Sequence, residues 1–460
     1  MTEIRKNYDK AEIKRFDSEN HMHPFTDSKA LDDEGGARII VRAEGCNLFD
    51  IDGEKILDGM AGLWCVNIGY GRKELADVAS EQMQELAYYN TFFKTTTPPA
   101  AILAEKIAGL LPDNFNHVFF SGSGSEANDT NLRLARTFWQ IEGKPTKKII
   151  ISRENAYHGS TVAGASLGGM SGMHKQAGLE ISGIEHVAQP YWFKDGGDMD
   201  KDVFGLKAAK AVEDKILELG ADNVAAFIGE PMQGAGGVII PPKTYWAEIN
   251  RICKKYDILL ICDEVICGFG RTGNWFGYQT LGIEPDLITM AKGLSSGYLP
   301  ISGVGVCDRI HKAFYESGED FNHGYTYSGH PVAAAVALRN IEIIEREDLI
   351  GNIQRETGPY WAKRFAELAD HPIVGEVRTL GLLAAVEISN DKEKRTRFEP
   401  EGKAGTICRD HYFARNVIMR ACGDIMVSSP PLIITKAEID QLVDTTRECL
   451  DATAKDLGVM

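Results

Sequence analysis

The chain has 460 residues, 43% of them hydrophobic, and a formal net charge of −16, which is too long for one typical domain and apolar enough for large cores. Such acidity excludes nucleic acid and anionic membranes as partners, because both repel the average surface. The N-terminal stretch KNYDKAEIKRFDSEN has no apolar core for export, and no apolar run approaches the length of a membrane span, so a cytoplasmic protein is expected.

Taken in chain order, His21 and His23 beside Pro24 read as a structural loop pair. Residues 37–58 (ARIIVRAEGCNLFDIDGEKILD) read as strands of a small antiparallel sheet around the Asp52-Gly53 turn. From about residue 76 to 327 the apolar strands VFF, KIIIS, VAAFIGE, ILLICDE and LITMA alternate with helical stretches. That alternation predicts an α/β domain with a mainly parallel sheet. A helix follows at HPVAAAVALRNIEII, and the charged stretch 390–403 (NDKEKRTRFEPEGK) reads as a solvated loop. The last helix starts at a capping box of Thr435 and Glu438, and Ile439, Leu442, Val443 and Leu450 recur along it at helical spacing as core residues. Nine cysteines are scattered without paired C-x-x-C motifs, so reduced thiols are expected; Cys262 and Cys267 have no second ligand pair, and no metal site is expected.

Four segments carry chemistry. HVFFSGSGSEANDTNLRLAR offers a strand, a Gly/Ser turn and a helix start, where the N–H groups of Ser123, Gly124 and Ser125 suit a phosphate. The same turn holds a partial dinucleotide fingerprint from Gly122 to Ala127, and the next strand ends in Glu154, about ten residues later than that fingerprint's acid. In NAYHGST, Tyr157 can lie on one face of a planar ring with His158 in support. YDILLICDEV reads as a strand buried on both faces that ends in Asp263, with Glu264 pointing the other way and Val265 available for the second ring face. Lys292 follows the apolar run DLITM. Taken singly, each residue has an ordinary structural role, as cap, surface lysine or core packing. Together, an amine and an acid at two strand ends suggest pyridoxal phosphate, which is held by a lysine imine and needs an anion at its ring nitrogen.

The ordered motifs HPFTD, DGMAGLWCVNIGYGR, YYNTFFKT, SGSEANDT, NAYHGST, GEPMQGAGGVI, CDEVICGFGRTG, AKGLSSGYLP, YTYSGHP and IMRACGD resemble those of the fold-type I, class III aminotransferases, in particular the amine:pyruvate or omega-transaminase group. The resemblance runs from about His23 to Leu450 and disfavours the dinucleotide reading. It implies a large cofactor-binding domain at 76–327 and a small α+β domain assembled from 1–75 and 328–460. It also implies roles. Lys292 matches the Schiff-base lysine, Asp263 the pyridinium partner, Tyr157 and Val265 the ring sandwich, and Ser123 to Ser125 the phosphate loop. Glu230 matches an acid near the cofactor, and Thr326 a threonine that reaches the neighbouring subunit's phosphate. Trp64, Phe92, Tyr157 and Ala235 match substrate-pocket positions, and Arg420 a mobile arginine that receives carboxylates.

A guanidinium suits the acceptor acid, but an apolar amine donor would leave it unpaired, so Arg420 is expected to swing outward in that half-reaction. The implied reaction moves an amino group from a primary amine, diamine or omega-amino acid to pyruvate, in a homodimer with shared sites or a dimer of dimers. The scaffold equally hosts aminomutases and decarboxylases. The sequence leaves the donor open among putrescine, β-alanine, taurine and arylalkylamines.

Overall fold

Runs that lack polar alternation have to be covered on both faces, and here they line up as neighbours in one sheet. The computed structural model describes residues 8–176, 178 and 181–459; residues 1–7 and 460, at the outer ends of the expected small domain, lie outside the described residues. The large sheet has seven strands: β1 (His117–Ser121), β2 (Ile149–Arg153), β3 (Ile184–Val187), β4 (Val224–Gly229), β5 (Leu259–Asp263), β6 (Leu287–Met290) and β7 (Ser302–Val306). Their order is β1-β7-β6-β5-β4-β2-β3. Strands β2 to β6 pair in parallel, and β7 runs against both β1 and β6. Every strand except β7 therefore ends on the same side of the sheet. All residues of β4, β5 and β6 are buried, as expected for parallel strands with helices on both faces.

Five of these strands are the predicted apolar runs, and two are additional. β3 (IEHV) is short and carries two polar residues. β7 (SGVGV) alternates with glycine, and Gly305 is required by close packing, since a Cβ there would lie 2.6 Å from Leu111 Cδ1. Neither pattern has the density of branched apolar residues that marks a strand in sequence.

Two smaller sheets complete the α/β architecture with an α+β part to which both chain ends contribute. Strands Ile40–Glu44, Asn47–Asp50 and Lys55–Asp58 form the predicted antiparallel meander, and Val417–Ile418 joins its edge in parallel. The second sheet has the order Val374–Leu380, Leu383–Ile388, Ile425–Ser428, Arg420–Cys422. The last helix, Lys436–Asp456, has the expected capping box. One reading needs correction: the stretch 390–403 is not wholly solvated. Arg397 within it donates to the fully buried Glu387 at 2.8 Å, and Phe398 is buried; a buried carboxylate needs a cation, and this charged run supplies one.

Arg271, itself fully buried, ties three parts of the chain together. It donates to the carbonyl of Pro430 and, at 2.8 Å, to Asn67 Oδ1, while Asn67 Nδ2 donates to Phe269 O at 2.8 Å. Replacing Arg271 by Met strands two buried acceptors, and unsatisfied groups of this kind cost about 1–3 kcal/mol each. Arg271→Met is expected to lower the unfolding free energy by about 3 kcal/mol in a urea titration; an unchanged midpoint would show that the joint is held elsewhere.

Candidate active site

The shared direction of the strands brings five sequence segments to one edge. A cavity of about 360 Å³ there is lined by Ser123, Gly124 and Ser125 after β1, Tyr157 and His158 after β2, Glu230 after β4, Asp263 and Val265 at the end of β5, and Lys292 after β6. Ligands bind outside strand carboxyl ends in open α/β sheets because the loops and helix starts converge there.

The cradle lies at the start of the helix Gly124–Ile141, labelled α1, which is capped by Ser123 accepting from Glu126 N at 3.2 Å. The N–H groups of Ser123, Gly124 and Ser125 have no acceptor among the described residues, so they and the positive helix end can take a phosphate. A Cβ on Gly124 would lie 3.0 Å from Val265 Cγ2; glycine lets the cradle close on the wall next to Asp263.

Asp263 is 3% exposed and well supplied with donors. Its Oδ2 accepts from Asn128 Nδ2 at 2.7 Å and lies 2.7 Å from His158 Nδ1, and its Oδ1 accepts from Val265 N at 3.1 Å. These three contacts hold the carboxyl group in one orientation. Glu264 turns away, as expected, and accepts from the N–H groups of Gly277 and Tyr278 at 2.8 and 2.6 Å. Glu230 accepts from Tyr157 N at 3.2 Å and Gly234 N at 2.9 Å, and burial pushes its carboxyl above the usual range.

Lys292 sits in the left-handed backbone region, at φ +44°, a strained setting for a residue with a Cβ. Its amine makes no hydrogen bond or ion pair with the described residues. Burial holds its pKa below that of an ordinary lysine, with the acids Asp263 and Glu230 opposing the shift and Arg420 adding to it. The donor set thus combines an amine that loses its proton easily, a buried anion and a ring of free N–H groups. Those are the three functions that pyridoxal phosphate requires of a protein, and the residues fit it.

The remaining predicted residues lie elsewhere. Ala235 and Arg420 line a second, more polar cavity of about 970 Å³, together with Asn155, Tyr191 and Arg397. The Arg420 guanidinium has no hydrogen-bond or ion-pair partner among the described residues. Trp64 does not line either cavity; it is buried in an apolar cluster with Met60, Met232, Ile266 and Ile425, and its indole Nε1 is unpaired. Phe92 packs near His323 and Gly324 at the surface. Thr326 is on an exposed loop, where its carbonyl accepts from Tyr88 OH at 2.6 Å. Phe92 and Thr326 therefore do not join the cofactor-sized cavity of their own chain. Sequence reading missed Asn128, which also lines that cavity. The available signal was a pair of asparagines, Asn128 and Asn131, at helical spacing on a face that also carries Ala127, Leu134, Ala135 and Phe138, since polar residues on a buried face have to meet other polar groups.

Comparison with known proteins agrees with this geometry. The model of the family Aminotransferase class-III matches residues 31–450. A putrescine–pyruvate aminotransferase of Pseudomonas aeruginosa is 58% identical over 95% of this chain and 95% of its own length. A diaminobutyrate–2-oxoglutarate transaminase of Halomonas elongata is 42% identical, covering 95% of this chain and 94% of its own. Among solved structures, a thermostable (S)-enantioselective omega-transaminase from Thermomicrobium roseum superposes with a TM-score of 0.94 at 41% identity, over 97% of this chain and 100% of that one. The omega-transaminase of Pseudomonas jessenii in complex with PMP gives 0.94 at 39% identity, over 97% and 99%. The chain belongs to the class III aminotransferases, and as a member it is an aminotransferase that uses pyridoxal phosphate.

The lowered pKa of Lys292 has a direct consequence. A lysine whose pKa is depressed is the neutral amine at lower pH than its exposed neighbours. In the cofactor-free protein, reductive ¹³C-methylation followed by NMR titration is expected to give Lys292 a midpoint below 10.5, the ordinary lysine value; a midpoint at or above it contradicts the burial argument.

Proposed function

We propose that this class III aminotransferase moves an amino group from a primary amine, diamine or omega-amino acid to pyruvate, giving alanine and an aldehyde or ketone. The observation that carries the reading is Arg420, a guanidinium without a protein partner, in a cavity close enough for its charge to act on Lys292. Such a group receives the acceptor's carboxylate by two parallel hydrogen bonds. Similarity to a relative named for putrescine and pyruvate supports the same donor and acceptor.

In this reading Lys292 anchors pyridoxal phosphate through its Nζ, and the Ser123–Ser125 cradle holds the phosphate. Tyr157 and Val265 would hold the ring between them, with His158 and Glu230 in the same cavity. The cofactor supplies an electron sink for the pair left on the substrate carbon. Lys292 Nζ, once displaced by the donor amine and with its pKa held below that of an ordinary lysine, would carry the proton from that carbon to the carbon that was the cofactor's aldehyde. Asp263 would be the partner of the protonated ring nitrogen. Ala235 leaves room beside Arg420 for the donor's side chain. Trp64 backs the site from within the apolar cluster, and its unpaired indole N–H faces no protein acceptor.

The same reading makes the working unit a homodimer, or a dimer of dimers, with Phe92 and Thr326 acting on the partner subunit's site. Supporting this, both residues lie beside an exposed aromatic surface in which Phe93 is 91% and Tyr327 66% exposed, with Tyr88 and Tyr327 rings 5.8 Å apart. An apolar patch of this kind marks an interface. Localisation in the cytoplasm accords with nine free cysteines and with the absence, among the described residues, of a helix long and apolar enough to cross a membrane.

Two outcomes test the proposal. Alanine is expected from pyruvate with at least one of putrescine, β-alanine, taurine or 1-phenylethylamine, and none with Lys292→Ala. A protein that carries its cofactor but makes no alanine from the panel points instead to an aminomutase or decarboxylase. Arg420→Ala is expected to raise KM for pyruvate about 10- to 100-fold, the value of one charge-assisted contact of about 1.5–3 kcal/mol, with KM for an uncharged amine changed less. Equal effects on both substrates would contradict the assignment.

A further inference from the structure

Behind Asp263 lies a buried chain of hydrogen bonds that the catalytic reading does not use. Asn128, one turn into α1, is 1% exposed and saturated. Its Nδ2 donates to Asp263 Oδ2 at 2.7 Å and to His158 O at 2.8 Å. Its Oδ1 accepts from Thr289 Oγ1 at 2.9 Å and from Asn131 Nδ2 at 3.1 Å. Asn131 Nδ2 also donates to Thr289 Oγ1 at 2.6 Å, which leaves the hydroxyl proton of Thr289 to point at Asn128. Asn131 and Thr289 are fully buried. The direction of the chain is therefore fixed: Asn131 to Thr289, Thr289 to Asn128, Asn128 to Asp263.

We infer that Asn128 is a positioning residue that keeps Asp263 anionic and aimed at the cofactor's ring nitrogen, and that Thr289 acts through it by fixing which end of the amide faces the acid. An amide can be turned either way, and only its nitrogen end suits a carboxylate. With oxygen facing Asp263, two acceptors would meet and the acid would gain a proton. The His158 carbonyl on the nitrogen side, and the Thr289 hydroxyl and Asn131 amide on the oxygen side, together remove that alternative. The amide has no proton to lose, so Asn128 is a permanent donor to Asp263.

The placement also links cofactor contacts to one another. Thr289 is directly opposite Asp263 in the β5–β6 pairing, on the strand that delivers Lys292 three residues later. Asn128 rides on the helix whose start forms the phosphate cradle. A shift of either element is felt at the Asp263 carboxylate, as for outer-shell groups that orient metal ligands.

The inference rests on Asp263 being the ring-nitrogen acid, and the test separates the two. Thr289→Val removes the hydroxyl at nearly constant shape, Thr289→Ser restores it, and Asn128→Asp replaces the donor by an acceptor. Two properties are read besides activity: the dissociation constant of pyridoxamine phosphate from quenching of protein fluorescence, and the ¹⁵N shift of the ring nitrogen in protein loaded with labelled cofactor. The inference predicts a ring nitrogen that stays protonated up to pH 9 in the natural protein and in Thr289→Ser. In Thr289→Val it begins to lose its proton within that range, with affinity about 10-fold weaker, and in Asn128→Asp the loss is larger, about 100-fold. Asp263→Asn is the reference. If Asp263→Asn shifts the ¹⁵N signal while Thr289→Val and Asn128→Asp do not, the positioning role is overturned and Asp263 stands. If Asp263→Asn leaves the signal unchanged, the reading of Asp263 fails and takes the inference with it. Should Asn128→Asp not fold, Thr289→Val against Thr289→Ser decides.

Discussion

A buried carboxylate and a buried amine have to coexist in one cavity without neutralising each other, and the rest of the structure follows from how they are kept apart. Removing either charge from water costs several kcal/mol if it is left alone. Direct pairing of Lys292 with Asp263 would relieve both and leave nothing for a cofactor. Instead Asp263 is satisfied from behind, by Asn128, His158 and the Val265 N–H, while burial makes Lys292 ready to give up its proton. The anion is thereby retained and the amine is free to react.

The seven-stranded sheet makes that separation possible. Its common strand direction puts an acid, an amine and a phosphate cradle at the ends of β5, β6 and β1, with rigid spacing set by the ladder between them. Residues on adjacent strands then need no loop flexibility to meet. The Arg271–Asn67–Pro430 joint fixes the chain ends against the large sheet, and Arg420, on the strand Arg420–Cys422, lines the second cavity. Groups carried on the strand ends and groups carried on the smaller sheets can vary without disturbing one another.

Much of this was legible in the chain. An apolar run that ends in a charged residue, as in ILLICD and in LITMAK, states both the buried strand and the group at its tip. The Gly/Ser turn before α1 states the cradle, since its small residues let an anion approach the N–H groups that every helix start leaves free. What was not legible depends on contacts between distant segments. β7 is invisible because its glycines serve close packing, Gly305 against Leu111 and Gly303 against Val118. Asn128 reads as one polar residue among several in SEANDTN until the fold places it under Asp263. Phe92 and Thr326 belong to a surface whose role a single chain does not display, and Arg397 reads as part of a solvated run although a buried glutamate draws it inward.

The central claim is that the amine of Lys292 is the covalent anchor of the cofactor in this cavity. It is tested most directly by borohydride reduction of the cofactor-loaded protein followed by peptide mass mapping. The account predicts a phosphopyridoxyl group on the peptide that contains Lys292 and on no other. The group on a different lysine, or a loaded protein with no reducible linkage, would contradict it.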